Sequence, residues 1–486
     1  MRVVQFSAVA LVIAAPLVSH AQADSATIDK IIDEGKNHSQ VMAHLKYIAK
    51  TIGPRLTSSP NLDKAYKWTQ QRFKDFGCKN VHLEQWGEWP VGFQRGKSSG
   101  AMISPEKVTF EFTTPSWSEG THGKKKGFAV YAPTTMDEFK AMQSKLKGAW
   151  VIYKTTPPRA PRVQPGQTPP ELTPEQKAAQ ELLAAVNGAE ILGKVMPSRN
   201  ELVLTSGSYR DKTFENHPMD VNITIRKSDM DKVMAHLDKS EPVQLEFDVN
   251  QRFVKGPRKM FNVVAEIPGQ TDEVVIVGGH LDSWDGPGSE GAADNGTGTS
   301  VALETARILN KVGIKPKRTI RFILFTGEEQ GLFGSVAYVE AHRAEWPKIS
   351  AVLIEDEGAN YESGTFALES MLPFLQPIID VNNKTFPFMP SKLRTVAKMP
   401  LGGGSDHVPF NKVGIPGFFW DKAGTQDYGY IHHTQYDVYE RVPSKYMVQC
   451  SVNQSVAAYT IAQAATMMPR DPSVTPPPAG AATGGR

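Results

Sequence analysis

From residue 261 onward the apolar and polar positions repeat in a regular way. Unbroken apolar runs at Phe261–Ile267, Val274–Val277, Thr319–Phe325 and Ile349–Ile354 read as buried strands, and Thr299–Leu309 and Leu332–Arg343 carry helical spacing between them. Strand, helix and strand with short joins predict an α/β domain with a largely parallel sheet and right-handed crossovers. The amino-terminal part opens in the same style, with an amphipathic stretch over Val41–Ile52, a turn at Gly53-Pro54, a helix near Leu62–Phe76 and a strand at Val81–Trp86. Between about 116 and 250 the pattern changes. Short strands such as Ala149–Tyr153 surround the proline-rich Pro157–Pro174 and an Ala-rich helix over Pro174–Val186, which predicts an inserted domain with a polyproline-like loop. The expected parts are therefore 25–115 and 251–468 for one domain, 116–250 for the insert, and a disordered tail over 469–486 whose Pro, Gly and Ala cannot bury apolar area.

A chain of 486 residues has room for two or three domains. Its 54 Lys and Arg against 51 Asp and Glu leave a net charge of +3, and no basic stripe extends beyond Lys124–Lys126, which argues against nucleic acid as a partner. Residues 1–21 read as an export signal with Arg2, an apolar run from Phe6 to Val18, and small residues ahead of a cleavage point after Ala21. That run is too short to span a bilayer and no second one follows, so the mature chain is expected to be extracytoplasmic, periplasmic or secreted, and free of the membrane. Cys78 and Cys450 allow one disulfide at most, and a bridge and two buried thiols fit an oxidising space equally well.

Three of the predicted strands run directly into ionisable groups: Gly279-His280-Leu281-Asp282, Thr326-Gly327-Glu328-Glu329 and Glu355-Asp356-Glu357-Gly358. Open α/β sheets bind ligands just past the carboxyl ends of their strands, so these groups should converge. Each is weak alone, because an exposed Glu-Glu is usually a solvated turn. Together with Asp294 in a glycine-rich loop and His432-His433 after the strand signal Gly417–Trp420, they suggest a metal centre. Clustered carboxylates repel one another unless cations neutralise them, and mixed imidazole and carboxylate donors suit Zn²⁺, with Mn²⁺ or Co²⁺ as substitutes. Five ligands with one bridging carboxylate would hold two ions.

The ordered set His280-x-Asp282, Asp294, Glu328-Glu329, Asp356 and His433-Thr434-x-x-Asp437 resembles the co-catalytic dizinc exopeptidases, the family of bacterial leucyl aminopeptidases and carboxypeptidase Q. The resemblance runs through about 35–115 and 251–465. Gly278–Asp285, Pro316–Thr319, Glu328–Gly331 and His432–Thr434 look most like carboxypeptidase Q. It implies an α/β/α sandwich carrying an inserted protease-associated domain, and a peptide substrate. It also implies two zinc ions per chain, one on His280, Asp294 and Asp356 and the other on Asp294, Glu329 and His433. Glu328 would be the general base for a zinc-bridging water, and Asp282 would hydrogen-bond the far nitrogen of His280. The loop Asp285–Ala293 is longer than in close relatives, so Asp294 is taken from its Ala-Asp-Asn-Gly context. His433 is preferred to His432 because the family's ligand immediately precedes Thr or Ser, and an extended local chain would turn His432 to the opposite face. Leu401–His407 resembles a segment beside the family's substrate pocket. Tyr428 and Tyr430 are expected to pack, with support of an oxyanion as the alternative.

Other readings are weaker. Gly286-x-Gly288-x-x-Gly291 matches a dinucleotide-binding pattern in form, but His280 and Asp282 occupy the turn and the helix begins too late. None of Ser289, Ser300, Ser335 or Ser405 lies in G-x-S-x-G. A glutaminyl-cyclase-like mono-zinc acyltransferase and a non-enzymatic, receptor-like relative remain as alternatives, opposed by the paired His280 and Asp356 and by the complete donor set with Glu328. Which end of the peptide is read, aminopeptidase or carboxypeptidase and dipeptidase, stays open, as does a homodimer.

Overall fold

The computed structural model describes residues 23–155, 171–217, 219–286 and 288–477. The export signal and most of the proline-rich stretch 157–174 therefore lie outside the described residues. Three helices open the chain: α1 (Ser25–Asn37), α2 (Val41–Lys46), which runs on as a wider turn over Tyr47–Ile52, and α3 (Pro60–Asp75). Ser59 caps α3 by accepting the Leu62 N–H at 3.1 Å, with Pro60 set at the first helical position. After β1 (Lys79–Trp89) the chain leaves for the insert and returns as β2 (Arg258–Ile267) and β3 (Val274–His280). It continues with α4 (Thr297–Val312), β4 (Thr319–Phe325), α5 (Phe333–Ala341), β5 (Ile349–Ile354), β6 (Gly417–Phe419) and α6 (Ser444–Gln463).

The six strands form one sheet in the order β1-β2-β4-β3-β5-β6. Alternate residues serve two cores. Val275, Val277, Phe322, Leu324 and Leu353 face the layer containing α1, α2, α4 and α6, whereas Val274, Ile276, Ile323, Phe325 and Val352 face Tyr338, Trp346 and Phe410 on the other side. The sheet is mixed rather than largely parallel. β4, β3, β5 and β6 run parallel, but β2 is antiparallel to both β1 and β4. Residues 268–273 between β2 and β3 are too few for a crossover, so the chain must reverse direction there.

A two-stranded ribbon, Gly92–Arg95 paired with Gln251–Val254, leads into and out of the insert. The insert's own sheet has eight strands, including Lys125–Tyr131, Trp150–Ile152, Gly193–Pro197, Asn222–Ile225 and Gln244–Asp248. It closes on a core of Phe110, Trp150, Ile223 and Phe247. It starts earlier than the change in composition at 116, because Ser99–Ser104 and Phe112–Thr113 supply strands whose partners lie beyond residue 220.

The tail also differs from expectation at its start. Arg470 donates to the carbonyls of Gly414 and Ile349 at 2.9 and 3.1 Å, and Asp471 accepts the Met399 N–H at 2.7 Å, so these residues are packed against the domain. Residues 478–486 lie outside the described residues. Cys78 and Cys450 are both buried and both free. Each has its own polar neighbour: Asn310 Nδ2 donates to Cys78 at 3.4 Å, and Cys450 donates to the Asn360 carbonyl at 3.5 Å. No helix among the described residues is long and apolar enough to cross a membrane.

Candidate metal centre

The carboxyl ends of β3, β4 and β5 bring the predicted residues to one edge. His280 is the last residue of β3, Glu328 and Glu329 follow β4 after the left-handed Gly327, and Asp356 lies two residues beyond β5. Asp294 reaches the same place from the turn ahead of α4. That turn closes on the β5 end because Gly279 and Gly298 have no side chains: a Cβ on either would stand 2.5 and 2.1 Å from the Glu355 carbonyl oxygen. His433 completes the group from the loop between β6 and α6.

Asp294 stands between the two imidazoles. Its Oδ1 is 3.3 Å from His280 Nε2 and its Oδ2 is 3.1 Å from His433 Nε2. Asp356 Oδ1 is 3.4 Å from His280 Nε2, and Glu329 Oε2 is 3.0 Å from His433 Nε2. Glu328 Oε2 stands further back, 3.9 Å from His280 Nε2. His280 Nε2 is buried and makes no hydrogen bond of acceptable geometry, although it is ringed by carboxylates. Its Nδ1 is occupied by the Asp282 backbone carbonyl at 3.0 Å. Two donors that share one tetrahedral zinc at about 2.0–2.1 Å lie about 3.3 Å apart, so the spacing around His280 and Asp294 fits a shared ion.

The electrostatics call for positive charge. Burial, together with Asp356, Asp406 and Glu329, pushes Glu328 well above the usual carboxylate range. Burial and Asp294 raise Glu329 to about 7. Against its own burial, Asp294 is held far below the ordinary value by the facing imidazoles. Burial also opposes charge on the two histidines, yet Asp356 and Glu328 push His280 well up, and Glu329 and Asp294 raise His433 to about 10.

Surrounding bonds fix the donors. Trp284 N–H donates to Glu329 Oε1 at 3.0 Å, leaving Oε2 toward His433. Ser405 Oγ donates to Asp356 Oδ2 at 2.7 Å and the Glu357 N–H to its Oδ1 at 2.7 Å. Asp437 accepts the Ala293 N–H at 2.5 Å, which steadies the turn before Asp294.

Two expectations are corrected. The Asp282 carboxylate does not hold His280 by a hydrogen bond, standing 3.7 Å from Nδ1 while the carbonyl of the same residue accepts instead. Its oxygens take Thr57 Oγ1 at 2.9 Å and the Glu328 N–H at 3.4 Å, so it braces the loop that carries Glu328. His432 does not turn to the opposite face. His433 has φ +56°, which breaks the extended alternation, and the two rings stack with centroids 3.7 Å apart. His432 Nε2 then lies 3.6 Å from Asp294 Oδ2, and Tyr428 stacks on its other side at 4.9 Å.

Arg55 went unnoticed in the sequence. Fully buried, it donates to the carbonyls of Leu281 and Gly291, both at 2.8 Å, and pins the loop between β3 and Asp294 from the far end of the chain. Asp406, inside the glycine-rich segment singled out above, is buried near the same cluster and raised by burial to about 7.

Comparison with known proteins places similar chains among peptidases. Residues 262–458 match the model of "Peptidase family M28". Carboxypeptidase Q of Mus musculus is 28% identical over 456 residues, covering 90% of this chain and 88% of that protein. The crystal structure of a peptidase M28 precursor from Shewanella amazonensis superposes with a TM-score of 0.63 at 21% identity, covering 92% of this chain and 98% of that one. A zinc aminopeptidase from Bacillus subtilis gives 0.53 at 20% identity, covering 86% and 94%. At such identities the structural matches establish the fold.

Proposed function

We propose that this chain, whose residues 262–458 match the model of Peptidase family M28, is an exported metallo-exopeptidase cleaving dipeptides or short peptides with two zinc ions and Glu328 as base. The observation that carries the reading is Asp294, one carboxylate facing two imidazoles, with the partnerless Nε2 of His280 beside it. His280, Asp294 and Asp356 would hold one ion, and Asp294, Glu329 and His433 the other. Bound there, such a pair would supply Lewis acidity toward a peptide carbonyl and lower the pKa of an attacking water.

The chain's own residues do the rest. Glu328 Oε2 stands about half an ångström farther from His280 Nε2 than the Asp294 and Asp356 oxygens do, and would take the proton of an attacking water rather than serve as a ligand. Its raised proton affinity suits returning that proton to the leaving amine. Asp282 holds the Glu328 backbone, and the Asp282 carbonyl keeps His280 protonated on Nδ1 so that Nε2 faces inward. Trp284, His432 and Tyr428 line the approach to His433. Export rests on the sequence of residues 1–21.

Metal analysis of the purified chain should give two zinc ions. Chelation should abolish hydrolysis and leave the fold intact, because the two sheet cores are apolar and need no ion. One ion per chain would point to the mono-zinc acyltransferase, and none to a receptor-like relative. Rates on unblocked dipeptides, N-blocked dipeptides and Xaa-p-nitroanilides then distinguish carboxypeptidase or dipeptidase action from aminopeptidase action.

A further inference from the structure

The two halves of the cluster are held by different parts of the molecule. His280 belongs to β3, with its carbonyl accepting Thr299 Oγ1 at 2.9 Å, and Asp356 is oriented by Ser405. All of these lie in the domain built on the six-stranded sheet. His433 is bonded to the insert directly, and Glu329 is linked to it only through Trp284 and Asp285. The His433 carbonyl accepts the Thr205 N–H at 2.8 Å and Thr205 Oγ1 at 3.3 Å, and Leu204 forms an antiparallel bridge with Thr434. Gln435, nearly buried, accepts the Val203 N–H at 2.9 Å and donates to the Glu201 carbonyl at 3.1 Å and to Glu111 at 3.2 Å.

The other side of this segment is tied down as well. Ser116 N–H donates to the Ser206 carbonyl at 2.7 Å, and Ser116 Oγ donates to Asp285. Asp285 follows Trp284, whose N–H orients Glu329. Gly286 allows the close approach: a Cβ there would stand 2.5 Å from the Thr205 methyl. The long loop after β3 thus reaches the insert.

We propose that segment 203–207 of the insert is a positioning clamp for the His433–Glu329 half of the site, so that binding of one metal ion depends on docking of the insert while the other does not. Thr205 and Gln435 are positioning residues that act through His433. A left-handed φ of +56° is uncommon away from glycine and persists where surrounding contacts over-determine it, which is what the Thr205 bonds to the His433 carbonyl and the Gln435 bonds just beyond it do. The proposal rests on His433 being a ligand, as read above.

The test is competition of the full-length zinc-loaded chain against a chromophoric chelator, for wild type and for Gln435→Ala, Thr205→Pro, Thr205→Ser and His433→Ala. Loss of an outer bond that orients a metal ligand typically costs ~10–100-fold in metal affinity. Gln435→Ala and Thr205→Pro should therefore weaken one ion by that factor and leave the other within about twofold of wild type, while Thr205→Ser, which keeps both donors, restores both. Excess zinc should return kcat of Gln435→Ala toward wild type. Equal affinities in wild type and Gln435→Ala, or equal weakening of both ions, would overturn the proposal. If Thr205→Pro does not fold, Gln435→Ala carries the test. His433→Ala separates the two levels: if it keeps both ions at full affinity, the ligand assignment itself fails, whereas loss of one ion there beside an unaffected Gln435→Ala sinks the clamp alone.

Discussion

Buried acids occur in two kinds of place in this molecule, and the chain treats them differently. Behind β5, Glu355 pairs with the buried ammonium of Lys422, which also lies 3.8 Å from Cys450. Burial and the charge of Glu355 push the neighbouring Glu362 well above the carboxylate range, so one cation faces one anion. On α4, Glu304 accepts Arg307 Nε at 2.8 Å and faces His44 at 3.3 Å. At the carboxyl edge of the sheet, by contrast, Asp294, Glu328, Glu329 and Asp356 meet around two imidazoles with no Lys or Arg among their close ion pairs with the described residues. A buried charge has to be paired or neutralised. Where the chain provides a Lys or Arg the cluster belongs to the fold, and where it does not, the proposed metal ions would supply the missing charge.

Four substitutions strain that distinction, beginning with the largest effect. Glu328→Gln keeps shape and should retain both ions while kcat falls by ~10²–10⁴, read by steady-state kinetics beside metal analysis. A near-normal kcat would move the base elsewhere, with Glu329 the first suspect. Lys422→Met removes the structural cation and should cost about 3–5 kcal/mol in urea unfolding, as breaking a buried pair does, with the zinc content of the folded fraction unchanged.

Glu304→Gln probes the second structural acid through pH. Burial works against ionisation, but His44 and Arg307 bring the folded value of Glu304 down to about 2 from the ordinary 4.5. A depressed acid stabilises the fold above its unfolded pKa, and that contribution is lost as pH falls from about 4.5 toward 2. The gap in unfolding free energy between wild type and Glu304→Gln should therefore shrink by about 3 kcal/mol over that window, in denaturant titrations at successive pH values. His432→Ala should have the smallest effect. It removes a half-exposed ring stacked on His433 and should keep both ions, shifting KM by the few-fold that a stacking contact of about 0.5–1.5 kcal/mol implies.

Much of the catalytic half was legible in advance because strands buried on both faces read as unbroken apolar runs. Thr319–Phe325 and Ile349–Ile354 have the bounds that the apolar pattern predicts. The ionisable residues that converge were visible for a related reason, since each lies just past such a run and strand ends share one edge. The reversal of β2 depended on the length of a join rather than on any residue in it. His432 was misplaced because alternation assumes extended backbone, and nothing in His-His-Thr announces a left-handed φ. Arg55 left no signal at all: it sits in an ordinary Gly-Pro-Arg turn, and its carbonyl partners are more than two hundred residues away. The insert's first strands were hidden because their partners come from the far side of the excursion.

The ribbon of Gly92–Arg95 and Gln251–Val254 has a consequence for building chimeras. Because both crossings to the insert lie side by side, an insert from a relative could be grafted at these strands without cutting the six-stranded sheet. Residues 201–207 and 433–435 face each other across that graft, however, and bond to each other directly. A transplant that moves one without the other would join two well-folded pieces around a mismatched seam, so the unit of exchange is the insert together with the three residues it grips.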